Sequence, residues 1–166
     1  PIAKGPEPAP PVPEQHPNPT EPAHSLALEP SVSASSPLLR MKKRSRTVVI
    51  LCSSEGMGSD LRNRLLEEGY GRVVLVREPS ELFSAAAQPG VALAFIDAGL
   101  SDLQDLEVAE ALREHVLEVP IVVAAEHVSA AFVLAARRAG VSQLLVKPYA
   151  LDAAFSALLE EQMGID

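Results

Sequence analysis

Gly140-Val-Ser-Gln-Leu-Leu-Val-Lys-Pro-Tyr149 is the stretch that decides the fold of this 166-residue chain. Gly140 closes a helical pattern, Gln143-Leu-Leu-Val146 is a short apolar run of strand character, and Pro148 cuts it off. Lys147 is thereby set at the end of a strand, beside whatever the neighbouring strands present there.

Working outward, Leu151, Ala154, Phe155, Leu158 and Leu159 repeat at helical spacing and predict a last helix. On the other side, residues 128–139 are Ala-rich and helical, and Pro120–Ala125 reads as a strand. Earlier strands are Thr47–Cys52, Val73–Val76 and Val91–Ile96, the last ending at Asp97. Helical patterns lie between them: Leu61, Leu65 and Leu66 before Gly69; Pro79 to Ala87 before Pro89-Gly90; and Leu103, Leu106, Leu112 and Val116. Strict alternation with short connections predicts an α/β, doubly wound parallel sheet with helices on both faces. In such sheets function gathers at the carboxyl edge of the strands. The residues there are Cys52-Ser53-Ser54, Asp97, Ala125 and Lys147.

Composition divides the chain. Eleven of 15 prolines lie in residues 1–37, and every aromatic lies beyond residue 69. The first 46 residues carry six Lys/Arg and four Glu; residues 47–166 carry eight Lys/Arg and 18 Asp/Glu. Residues 1–45 are therefore expected to be a disordered Pro-rich arm with a basic end, and 46–166 a folded domain. Pro8-Ala-Pro-Pro11 and Pro10-Pro-Val-Pro13 read as plain linker rather than as ligands for Pro-binding modules. Arg40-Met-Lys-Lys-Arg-Ser-Arg46 reads as a solvated basic hinge guarding an apolar strand, and Met41 also offers a start codon.

The same arithmetic excludes several classes. A domain at net −10 is a poor match for direct nucleic-acid binding. No apolar run reaches the roughly 18–20 residues of a membrane span, and the first residues lack the apolar core of a signal peptide. A lone cysteine, Cys52, fits a reducing compartment, so a cytoplasmic location is expected. Few lysines in the domain hint at a GC-rich genome. Four scattered histidines have no metal-ligand spacing.

Asp97 after the third strand, Lys147-Pro148 after the fifth, Ala139-Gly140 shortly before it, and the interval from Gly69 to Asp97 together resemble the receiver domain of two-component response regulators, over roughly residues 46–162. The resemblance implies a flavodoxin-like fold with strand order 2-1-3-4-5. It also implies a cis peptide before Pro148, Asp97 as phosphoacceptor and Lys147 as the phosphate-sensing lysine. Receivers are not enzymes of autonomous turnover. Their partners are a histidine kinase and a downstream effector.

The departures are as informative. An anionic carboxylate attacking an anionic phosphoryl group needs a divalent metal. Receivers hold Mg²⁺ with an acidic pair at the end of the first strand. Cys52 and Ser53 stand there instead, and magnesium prefers hard oxygen ligands. Glu55 is the nearest substitute. No cofactor is expected, Mg²⁺ entering only if the chain accepts phosphate. The switch Thr or Ser is replaced by Ala125, and the switch aromatic by Leu144. The chain thus reads as a pseudo-receiver in which Asp97 and Lys147 form a standing ion pair, acting by docking. The expected docking face comprises Arg137, Arg138, Tyr149, Leu151 and Asp152, with self-association through the last helix. The alternative is a working receiver phosphorylated on Asp97. A lesser alternative comes from Cys52-Ser-Ser-Glu-Gly-Met-Gly-Ser59, which resembles the cysteine loop of sugar-phosphotransferase B components and implies phosphorylation of Cys52.

Overall fold

The computed structural model describes Gly5, Pro8 and residues 36–165. The chain divides into two units, Pro1–Ala34 and Ser35–Asp166. The expectations for the Pro-rich arm through residue 35 lie outside the described residues, Gly5 and Pro8 apart.

In the second unit the order is α1 (Pro37–Arg44), β1 (Thr47–Cys52), α2 (Glu55–Glu67), β2 (Arg72–Val76), α3 (Pro79–Ala86), β3 (Val91–Asp97), α4 (Asp102–His115), β4 (Ile121–Ala125), α5 (Ala130–Arg138), β5 (Gln143–Val146) and α6 (Ala153–Gln162). All five strands are parallel, in the order β2-β1-β3-β4-β5. This is the flavodoxin-like sheet expected. No helix among the described residues is long and apolar enough to cross a membrane.

The period-2 geometry of a strand sorts the core. Val48, Ile50 and Cys52 face Leu61 and Leu65 of α2 and Phe155 and Leu159 of α6. Val49 and Leu51 face the other way, toward Leu82 and Ala86 of α3 and Ala109 and Leu112 of α4. A strand buried on both faces needs an unbroken apolar run, which is why Thr47–Cys52 shows no alternation.

The basic run before β1 corrects the expectation of a solvated hinge. It forms α1, capped by Ser36, whose Oγ accepts the Leu39 N–H, with Pro37 in the first turn. Lys43 is only 4 % exposed. Its ammonium lies 2.5 Å from Glu160 of α6 and over the Tyr70 ring, 5.3 Å from the centroid. Glu68 stands 4.0 Å away and also accepts from Arg64 and Ser156. The Lys43 carbonyl accepts the Gly71 N–H at 3.1 Å. Only glycine fits at 71, since a Cβ there would meet the Arg44 carbonyl oxygen at 1.9 Å. Residues 37–45 therefore belong to the folded unit, fastened to the amino edge of the sheet.

Candidate functional site

The carboxyl edge gathers the residues that the sequence places there. Cys52 lies in register with Asp97 across β1 and β3. Ala125 lies in register with Val146 across β4 and β5, and the Lys147 N–H donates to the Ala125 carbonyl at 2.9 Å. Asp97 and Lys147 thus end non-adjacent strands, β3 and β5, with β4 between them. The Lys147–Pro148 peptide is cis.

Asp97 is 8 % exposed, and both of its oxygens are engaged. Lys147 Nζ lies 2.6 Å from Oδ1. Tyr149 donates its hydroxyl to Oδ2 at 3.1 Å. Burial opposes the charge on Lys147, but the hydrogen bond and charge of Asp97 outweigh it and hold the ammonium above its ordinary range. Burial, then the Asp97 carboxylate, push the Tyr149 phenol up, so it stays a donor.

Tyr149, named above for a docking face, is half-buried and engaged within the domain. Its ring stacks on Phe155 at 5.7 Å with planes 9° apart, and meets the edge of Phe95 at 5.7 Å. That aromatic packing turns the ring inward and aims the hydroxyl at Asp97. Leu151 packs on the first core cluster, and the Asp152 side chain caps α6 by accepting the Phe155 N–H at 3.0 Å. Of the five docking residues named above, Arg137, Arg138 and Asp152 are exposed, while Tyr149 and Leu151 are half-buried. Arg137 lines an open groove of about 300 Å³ with Val128, Val133, Val141, Leu144 and Val146.

The first strand's edge offers no acid. Cys52 is 2 % exposed, and its thiol donates to the Ser54 carbonyl at 3.4 Å. Burial pushes that thiol above its ordinary range. A buried, protonated thiol is the opposite of the thiolate that phosphorylation of Cys52 requires. Ser53 is exposed, and Gly99, with φ +68°, leaves room for its hydroxyl: a Cβ at 99 would meet Ser53 Oγ at 2.5 Å. The Glu55 side chain, 80 % exposed, turns outward to Arg77 at 3.4 Å rather than toward Asp97. No group of three or more His, Cys, Asp or Glu among the described residues is placed to hold a metal ion. The donor set does not fit Mg²⁺: one carboxylate already doubly bonded, a protonated thiol and a hydroxyl.

Ala125 is fully buried against Leu106, Phe132 and Ala136, and half-buried Leu144 packs on the same group. Neither side chain offers a hydrogen-bonding group. Two features of α4 were not anticipated. Asp102 accepts the backbone N–H groups of Glu126 and His127 at 3.0 and 2.9 Å, pinning the loop after β4. Burial opposes its charge, but those two bonds hold its carboxyl below the usual range. Asp105, one turn on, is buried beside the same edge. Above Asp97 opens a cleft of about 480 Å³ lined by Met57, Glu126, His127, Lys147, Pro148 and Tyr149.

A parallel five-stranded sheet with an aspartate after the third strand and a lysine and cis-proline after the fifth defines a class. Residues 48–159 match the response regulator receiver domain, and the chain belongs to that family. The non-phosphorylated receiver domain of HemR from Leptospira biflexa is similar in structure, with TM-score 0.63 and 22 % identity, over 73 % of this chain and 96 % of that one. A response regulator from Thermotoga maritima gives TM-score 0.61 and 19 % identity over 72 % and 98 %. An orphan response regulator of H. pylori gives 0.62 and 16 % over 73 % and 98 %. At these identities the likeness is one of fold. No curated protein matches the chain.

Proposed function

We propose that this receiver is a pseudo-receiver, which signals by docking another protein without phosphate. The observation that carries the reading is the Asp97 carboxylate, held on one oxygen by Lys147 and on the other by Tyr149. A nucleophile so engaged must break two charge-assisted hydrogen bonds before it attacks, with no acidic pair to bring a metal. Ala125 and Leu144 support the reading, since neither can carry a phosphoryl-dependent hydroxyl or ring movement. Lys147 then acts as the counter-ion of Asp97 that sets the edge loops. The docking surface is the groove beside α5 and β5 with Arg137 and Arg138 at its border, and its partner is a signalling protein, a kinase or an effector. A second copy meeting the α6 face is the form self-association would take.

Incubation with acetyl phosphate and Mg²⁺, followed by intact-protein mass measurement, tests this. An unchanged mass is expected. One feature favours a second reading, a working phosphoacceptor: Asp97 remains at the end of β3, 2.6 Å from Lys147. A species about 80 Da heavier that disappears in Asp97→Asn establishes that reading instead.

A further inference from the structure

Asp105 lies in the first turns of α4 and is 1 % exposed. Its Oδ1 has no hydrogen-bond partner, and the backbone dipole of Ala98, the residue after Asp97, favours its charged form. The charges that act on it are Lys147 from beyond β5, Asp97 from β3 and Asp102 from its own helix. Glu126 and His127 stand just beyond Asp102, bonded to it through their backbones. The other elements packed on α4 meet it through apolar and aromatic residues. The β4 strand is apolar throughout. The α5 helix meets α4 through Phe132 and Ala136 near Leu106. The α3 helix meets it through Leu82 and Ala86, with Phe83 stacked on His115 at the far end.

One ammonium therefore faces two buried carboxyls. Ionised, Asp105 leaves an unpaired charged oxygen in the interior. Protonated, it leaves only a neutral group, which costs less. The two states differ in what they ask of Lys147. Charged Asp105 competes with Asp97 for it; neutral Asp105 does not. We infer that Asp105 is a proton-binding site that sets how tightly Lys147 is held on Asp97, so that the carboxyl edge of this receiver responds to a proton where other receivers respond to phosphate. Asp105 is a positioning residue here: it acts on the Lys147–Asp97 pair through its charge and through the Ala98 backbone. Its protonation equilibrium exists whether or not Asp97 accepts phosphate.

Burial, opposed by Lys147 and reinforced by Asp97 and Asp102, pushes the Asp105 carboxyl up to about 6. The test is a ¹³C-carboxyl and ¹⁵Nζ NMR titration of the full chain between pH 4 and 8. One Asp carboxyl is expected to titrate near pH 6, with a Lys147 Nζ shift of the same midpoint, and both transitions are expected to vanish in the near-isosteric Asp105→Asn. An Asp105 midpoint in the ordinary range near 4, or a Lys147 signal that stays flat through the Asp105 transition, overturns the inference. The wild-type titration decides this even where the variant fails to fold. Mass labelling of Asp97 reads the phosphate question separately.

Discussion

Two lysines meet carboxylates at opposite edges of one sheet, and they are built differently. At the amino edge Lys43 lies 2.5 Å from Glu160, sealed beneath α1 and over Tyr70. At the carboxyl edge Lys147 lies 2.6 Å from Asp97, with its side chain 21 % exposed on the floor of a cleft. The bond lengths are alike. What differs is access to water and the number of rival acids that are themselves buried. Lys43 is an anchor almost wholly withdrawn from solvent. Lys147 is paired with Asp97 and also feels the charge of buried Asp105. Burial, more than pairing, separates a fastener from a site.

The comparison can be broken in order of expected effect. Lys43→Ala removes the buried cation from its cluster and leaves Glu160 without its partner and Glu68 with Arg64. A loss of about 3–4 kcal/mol is expected in urea unfolding, and a loss under about 1 kcal/mol makes α1 dispensable. Asp105→Asn comes next. The folded carboxyl titrates at about 6, above its unfolded value of about 3.8. The native state therefore binds the extra proton between those values. The Asp105 contribution is most favourable below about pH 4 and declines as pH rises through about 6. Relative to wild type, Asp105→Asn should gain on the order of 2–3 kcal/mol between pH 4 and pH 7. A pH-independent difference between the two proteins rejects this. Lys147→Ala leaves Asp97 with Tyr149 alone, and a cost of about 2 kcal/mol is expected. Because the lysine is partly hydrated, that cost should fall below the Lys43 value when both are measured in one buffer. Tyr149→Phe keeps the aromatic stack and deletes one hydrogen bond to a charged acceptor. About 1 kcal/mol is expected from thermal melts, and no change at all would show that the bond is idle in solution.

What the sequence revealed follows from where the information lies. Each of the five strands is a local apolar run, and four of them have glycine or proline close by on at least one side, so all are legible within a residue or two. Asp97 and Lys147 were legible because each directly ends such a run. The α1 helix was not, because only Leu38, Leu39 and Met41 interrupt its charge and its burial depends on Glu160, Glu68 and Gly71 far along the chain. A local signal did exist in Ser36-Pro37, a cap followed by proline in the first turn. The direction of Tyr149 depends on Phe95 and Phe155, which no local pattern places. Asp105 left a trace: with Ala109 and Leu112 it falls at i, i+4 and i+7, on the buried stripe of α4. An acid on that stripe is a flag that spacing alone can raise.

The placement of the tyrosines has an optical consequence. The chain has two tyrosines and no tryptophan. Tyr70 lies under Lys43 at one edge, and the Tyr149 hydroxyl is bonded to Asp97 at the other. The protein therefore carries one native fluorophore at each lysine cluster, unmasked by indole emission. Single Tyr→Phe variants make each edge a separate spectroscopic channel, with the anchor and the site observed in the same molecule without a label.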